Sequence, residues 1–279
     1  LIVINGLICA LRWRLLLQIQ NVTLGVWQSV KLTYIGAFFS TVLPSSVGGD
    51  IIKAYYVTKG RNHKPSLVTS VVFDRVLGLY TMIMTAFIAV LIIVSDSFFI
   101  GKTDSWSNSY IMSMELFMVG FFGLLTVCGY FFMSSGVRKS VLMEKFLVKL
   151  PYHDKVTEIY NAVYSYGRNP ALTLKAAGLS FVAQIPLYLG LWLFALLLEI
   201  EPLNGLDYLI ALPICLVINV IPVAPGGLGI GEAGFSAIFS IYGSGGGAEL
   251  ALLYHVVFFL LAICLGGLVF LFSDIRRHI

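Results

Sequence analysis

Apolar positions in this chain run in long unbroken stretches, with polar residues gathered into short intervals between them. Residues 66–95, 111–134, 171–198 and 248–272 are each long and apolar enough for a membrane-crossing helix, which needs about 20 residues. Residues 1–18 read as a further span. Three shorter apolar stretches, 26–43, 208–221 and 230–242, are separated from their neighbours by Pro and Gly. The pattern predicts an all-α polytopic membrane protein with about five full spans plus two Pro/Gly-broken re-entrant hairpins. Residues 1–279 read as a single transmembrane domain. The chain opens Leu1-Ile2-Val3-Ile4, already apolar, so an upstream segment is expected, and residues 1–10 lack the basic start and cleavage site of a signal peptide.

The polar intervals set the orientation. Lys53, Lys59, Arg61 and Lys64 follow the first break, and Arg138, Lys139, Lys145, Lys149, Lys155 and Arg168 fill residues 135–170. Arg276 and Arg277 close the chain, and Arg12 and Arg14 read as closing the first span. Residues 96–110 and 199–207 carry Lys102 alone among bases, beside Asp96, Asp104, Glu199, Glu201 and Asp207. The Lys/Arg-rich intervals are therefore cytoplasmic. Within the 135–170 interval, residues 140–166 mix apolar and charged positions at helical spacing. That stretch reads either as an amphipathic segment lying on anionic lipid or as a solvated loop.

With this orientation, a span, a broken stretch and a span occur twice in opposite directions, once in residues 1–95 and once in 171–272. That order is the layout of an inverted-topology repeat, in which substrate sites form at broken helices; sequence similarity between the halves is weak.

The breaks themselves read Leu43-Pro44-Ser45-Ser46-Val47-Gly48-Gly49-Asp50 and Ile221-Pro222-Val223-Ala224-Pro225-Gly226-Gly227-Leu228-Gly229-Ile230-Gly231-Glu232. In each, Pro ends an apolar helix, a Gly pair follows, and then a carboxylate. Pro removes a backbone donor and Gly admits angles closed to other residues. Unpaired backbone groups in hydrocarbon cost several kcal/mol each, so such breaks persist only when buried in protein or lining a polar cavity. Helix N-termini exposed there attract anions such as a lipid phosphate. Pro44, Gly48, Gly49, Pro222, Pro225, Gly226, Gly227 and Gly229 are the expected structural breaks. The competing reading is a pair of ordinary surface loops.

Charge inside the spans narrows the chemistry. Asp74-Arg75 lies roughly 12–14 Å into its span, at about 1.5 Å per residue. A charge at a helix centre costs about 2.5–3.5 kcal/mol even on lenient insertion scales, so it faces protein and pairs. Asp74 points about 100° away from Arg75 and is a poor partner; Asp50 and Glu232 are better ones. Asp50, Lys53, Asp74, Arg75 and Glu232 are thus the candidate substrate path. His255, within the last span, reads as a hydrogen-bonded packing residue in preference to a proton relay.

Composition agrees with a bilayer as solvent: 58% hydrophobic, 11% charged, mean hydropathy +0.91. The net charge of +4 follows from the cytoplasmic intervals and implies no nucleic acid partner. Cys9, Cys128, Cys215 and Cys264 are scattered in apolar stretches, without metal or redox spacing. No GxSxG, HExxH or Walker A signature is present, and the glycine run follows Pro in a membrane segment, not a strand. No cofactor, metal or catalytic residue is expected.

The run Phe38-Phe39-Ser40, Leu43-Pro44, Gly48-Gly49-Asp50, Lys53-Ala54-Tyr55 and Asp74-Arg75-Val76-Leu77-Gly78, with Pro222-Val223-Ala224-Pro225-Gly226-Gly227-Leu228-Gly229 and Glu232, resembles one family across essentially the whole chain. It is the transmembrane, flippase-like region of lysylphosphatidylglycerol synthases and its stand-alone relatives. The resemblance implies a multi-pass protein of a bacterial or archaeal cytoplasmic membrane that moves or presents lipid. Its implied partners are anionic phospholipid or glycolipid, and a lipid-modifying synthase or glycosyltransferase. Where the family often has Arg after the GGD motif, Lys53 keeps the charge but not the two-pronged donor. No aminoacyl-transferase domain follows Ile279 in these residues, so synthase activity is not expected of them. Three functions follow: a lipid flippase or transporter, a membrane-embedded lipid-modifying enzyme using Asp50, Asp74 and Glu232, or a lipid-presenting partner of a glycosyltransferase.

Introduced thiols test the orientation. Lys102→Cys and Lys149→Cys are expected to label from opposite sides of sealed cells with a membrane-impermeant maleimide; labelling of both from one side contradicts the topology.

Overall fold

The computed structural model describes residues 1–43, 47–61, 64–100, 109–134, 153–201 and 203–273, and the description below is of these. It contains ten α-helices and no strand among the described residues. They are α1 (Ile2–Ile19), α2 (Val26–Val42), α3 (Gly48–Thr58), α4 (Lys64–Ile100) and α5 (Ser109–Met133), then α6 (His153–Arg168), α7 (Pro170–Leu197), α8 (Gly205–Asn219), α9 (Ile230–Ile241) and α10 (Gly247–Phe272). The protein is an all-α polytopic membrane protein, as its hydropathy predicts. Ile2–Ile19, Lys64–Ser95, Pro170–Leu197 and Gly247–Phe272 are long and apolar enough to cross a bilayer. α5, the remaining expected span, has 25 residues and presents Leu116, Leu124, Val127 and Tyr130 outward. Large exposed apolar side chains also line α4, α7 and α10, the reverse of a water-soluble surface and the expected face toward lipid.

The two largest of the apolar clusters among the described residues each gather four helices. In one, Trp13, Leu17, Leu32, Val57, Leu67 and Val71 bring together α1, α2, α3 and α4. In the other, Leu187, Leu191, Leu212, Phe235, Phe239 and Leu250 bring together α7, α8, α9 and α10. Between them α1 runs against α7, α8 packs on α4, and α2 packs on α10. Each broken hairpin therefore leans on the long helix of the other group. At the α2–α10 contact, α10 carries a π-helical turn at Ala262–Gly267. It sets Gly266 directly on the Tyr34 carbonyl of α2, where any side chain would overlap backbone.

Residues 153–168 form α6, whose buried face of Tyr160, Ala162 and Tyr166 meets protein. Tyr166 stacks on Phe73 with ring centroids 3.9 Å apart. Gln20 at the end of α1 donates to the Ala162 carbonyl at 3.0 Å, and Ser66 donates to Glu158 at 3.0 Å. The face is built of tyrosines, which hydropathy alone scores as polar. Residues 140–152 of the same stretch lie outside the described residues.

Candidate functional site

The first break joins α2 to α3, and Pro44 within it lies outside the described residues. Gly48 and Gly49 are not turn glycines, as the sequence reading had them; they are the first residues of α3. Their role is close approach. A methyl group on Gly49 would overlap the Gly36 carbonyl and the Ser40 hydroxyl of α2, and the Gly49 N–H donates to Ser40 Oγ at 3.1 Å. The two backbones touch, and this fixes where the next turn of α3 points.

That turn carries Asp50 and Lys53. Asp50 forms an ion pair with Arg75 of α4. Lys53 lies 5.4 Å over the Trp13 ring of α1 and is also close enough to attract Asp50. Of the partners the sequence offered for Arg75, the structure brings Asp50 and leaves Glu232 elsewhere.

Asp74 turns the other way, to a partner that sequence reasoning missed. Arg12 of α1 donates through Nε to Asp74 Oδ1 at 2.7 Å and through Nη2 to Oδ2 at 2.9 Å, and through Nη1 to Ser180 Oγ of α7 at 3.1 Å. Gly78, one turn beyond Asp74, leaves room for the guanidinium, since a Cβ there would sit 3.1 Å from Nη1. Arg12 is therefore not an interfacial cation closing the first span. It lies seven residues inside α1, in a sealed, two-pronged pair joining three helices. The two pairs differ in access: side-chain exposure is 9% and 9% for Arg12 and Asp74, but 31% and 18% for Arg75 and Asp50. The first pair is a frame; the second opens onto a surface. Next to the frame, Gln184 of α7 donates to Thr81 at 3.0 Å and accepts from Thr85 at 2.7 Å and Tyr188 at 3.0 Å, extending the polar seam between α4 and α7.

The second break, between α8 and α9, is a true glycine turn. Gly226, Gly227 and Gly229 have φ of 59°, 88° and 84°, the left-handed region, so Gly is required there. Pro222 and Pro225 precede them, past the end of α8 at Asn219. Glu232, in the first turn of α9, accepts the Gly229 N–H at 2.5 Å and so caps the helix. Its other oxygen lies 2.7 Å from Nδ1 of His255, and Nε2 of His255 lies 2.9 Å from Oδ1 of Asn219. His255 is hydrogen-bonded, as the packing reading has it, but to a carboxylate and an amide that bracket the break. Pro225–Gly227 also touches α2, the helix that leads into the first break.

A bundle of membrane-crossing helices with two broken hairpins, each carrying a carboxylate paired to a cation or histidine, defines a multi-pass membrane protein with polar chemistry inside the bundle. The chain belongs to the family of the lysylphosphatidylglycerol synthase TM region, whose model matches residues 1–266. That membership makes it a membrane protein related to lipid modification or transport. No curated protein and no solved structure matches it.

Removing one partner of a buried ion pair leaves the other charge uncompensated, at about 3–5 kcal/mol. Arg12→Leu and Asp74→Leu are each expected to lower the thermal stability of the purified protein by that order. The double variant Arg12→Leu/Asp74→Leu should lose less than either single one. Equal, additive losses in a thermal melt would show that the two side chains do not form a pair.

Proposed function

We propose that this protein moves an anionic phospholipid or glycolipid between the leaflets of a bacterial or archaeal cytoplasmic membrane. One observation carries the reading: Asp50, Lys53 and Arg75 meet beside the first break, inside the bundle yet partly open. Arg12, Lys53 and Arg75 stand with Asp50 and Asp74, three cations and two carboxylates among the described residues. The frame pair is neutral and closed. The remaining excess of positive charge lies on the open side, shared by Lys53 and Arg75 around Asp50.

An excess cation in a low-dielectric setting is costly unless an anion visits it. A lipid phosphate supplies that anion, and its acyl chains remain along the exposed apolar faces of the helices. Arg75 offers a planar donor set for phosphate oxygens and Lys53 a point charge. Asp50 competes with the phosphate for both, which lets the headgroup bind and leave. Glu232, the carboxylate of the second break, is the corresponding group in the other half. Asp74 serves by holding Arg12 and orienting α4, so that Arg75 points at α3.

The reading also takes α1–α4 and α7–α10 as inverted halves. Each half has its own apolar core, and each sends its broken hairpin against the long helix of the other. A rocking of one half against the other would expose the cluster to each leaflet in turn.

Liposomes containing the purified protein and a fluorescent phosphatidylglycerol test this, with a membrane-impermeant quencher reporting transbilayer movement. The wild type is expected to move the lipid without altering its headgroup. Arg75→Ala should abolish movement and lower stability. The swap Asp50→Arg/Arg75→Asp should recover part of the stability. Full movement and full stability in Arg75→Ala would reject the headgroup path.

A further inference from the structure

The two breaks end in the same local arrangement. Asp50 is the third residue of α3 and pairs with Arg75 on the long helix that follows; Glu232 is the third residue of α9 and pairs with His255 on the long helix that follows. The counterpart of a permanently charged arginine is a histidine, a side chain able to take up and release a proton.

We propose that Glu232, His255 and Asn219 form a proton-binding site that latches the second break, and that the proton is the ion accompanying lipid movement. The site itself rests on geometry alone; the coupling rests on the transport reading above.

His255 touches both sides of the break. Nδ1 meets Glu232 Oε1 on α9 at 2.7 Å and Nε2 meets Asn219 Oδ1 on α8 at 2.9 Å, and its ring is buried to 1% exposure. An ionised carboxylate only accepts, and so does an amide oxygen. With Glu232 ionised and the Asn219 oxygen toward the ring, both ring nitrogens donate, so the proposed proton-loaded form is an imidazolium paired with Glu232. On loss of one proton, one nitrogen becomes a bare acceptor facing an oxygen. Either the contact to α9 or the contact to α8 must then open, or Asn219 must turn its NH2 group toward the ring. Releasing the proton thus dismantles this arrangement across the break, and taking it up restores it. The proton leaves by way of Glu232, whose side chain is 19% exposed while that of His255 is 1% exposed.

Other titratable groups lie on the helix of His255 and on the helices around it. On α10 itself they are Glu249, Tyr254 and Cys264; on α8, Asp207, Tyr208 and Cys215; on α7, Lys175 and Tyr188; on α2, Lys31 and Tyr34. Cys9 of α1 lies within electrostatic reach of Tyr254. Among the described residues, His255 is the titratable side chain in contact with Glu232. The Tyr254 and Phe259 rings, 5.6 Å and 6.2 Å from the imidazole, complete a setting with little water.

Solid-state nitrogen NMR on histidine-labelled protein in liposomes reads the charge of His255 directly. The background is His63→Asn/His153→Asn/His278→Asn, which leaves His255 alone. Its signal should change from imidazolium to neutral as the pH is raised, and Glu232→Gln should make the change come at lower pH, because the opposite charge that favours the imidazolium is gone. A ring that keeps one charge state over the whole range in which the protein stays folded, or an unchanged response in Glu232→Gln, overturns the site. For the coupling, liposomes loaded with a pH-sensitive dye should show proton movement in proportion to movement of fluorescent phosphatidylglycerol, and His255→Gln should lower the protons moved per lipid. Lipid movement without proton movement overturns the coupling. Absence of lipid movement in the wild type overturns the transport reading, and the coupling with it, while the NMR response still decides the site.

Discussion

The contact on which the rest of the structure depends is the closed pair between Arg12 and Asp74. It joins α1 to α4 and, through Ser180, both to α7. Helices in lipid gain little from a hydrophobic drive to associate, so close packing and polar contacts must specify which faces meet. A guanidinium held by two carboxylate oxygens and a hydroxyl has few alternative arrangements, and a helix rotated away from it would leave a charge stranded in hydrocarbon. Because Asp74 is fixed toward α1, its neighbour Arg75 must point about a quarter-turn away, toward α3. The frame therefore places the open pair as a matter of helical geometry.

The two hairpins use glycine for opposite purposes. At the first, Gly36 and Gly49 bring two helical backbones into contact, and the helix simply restarts. At the second, three residues with positive φ turn the chain sharply before α9. Both end with a carboxylate in the first turn of a helix, where the positive end of the macrodipole favours it. In each case a side chain from the following long helix meets that carboxylate. The difference between arginine and histidine at that position is what separates a fixed site from one that responds to protons in the present account.

Much of this was legible in the sequence because hydrocarbon imposes long apolar runs and charges inside them are rare. The spans, the two interruptions and the pair of candidates, Asp50 and Glu232, for the partner of Arg75 follow from those constraints. Arg12 was not legible. The bias of basic residues toward cytoplasmic ends makes an arginine late in a span look like an end marker, and its partner lies 62 residues away. The Gly78 that makes room for it looks like any other small residue in a helix. Gly48-Gly49 was misread because the same residue type serves both turns and close contacts. The tyrosine face of α6 was missed because phenol rings bury well while scoring as polar. Glu232 was singled out, but its pairing with His255 required knowing that α10 returns alongside α9.

The central claim is that the open side of the cluster receives a lipid phosphate. An experimental structure in bilayer discs of anionic phospholipid measures this most directly. The account predicts phosphate density within hydrogen-bonding distance of Lys53 and Arg75, with acyl chains running along the apolar helix faces. Lipid confined to the outer perimeter, with the Asp50–Arg75 pair closed in every class of particles, would contradict it.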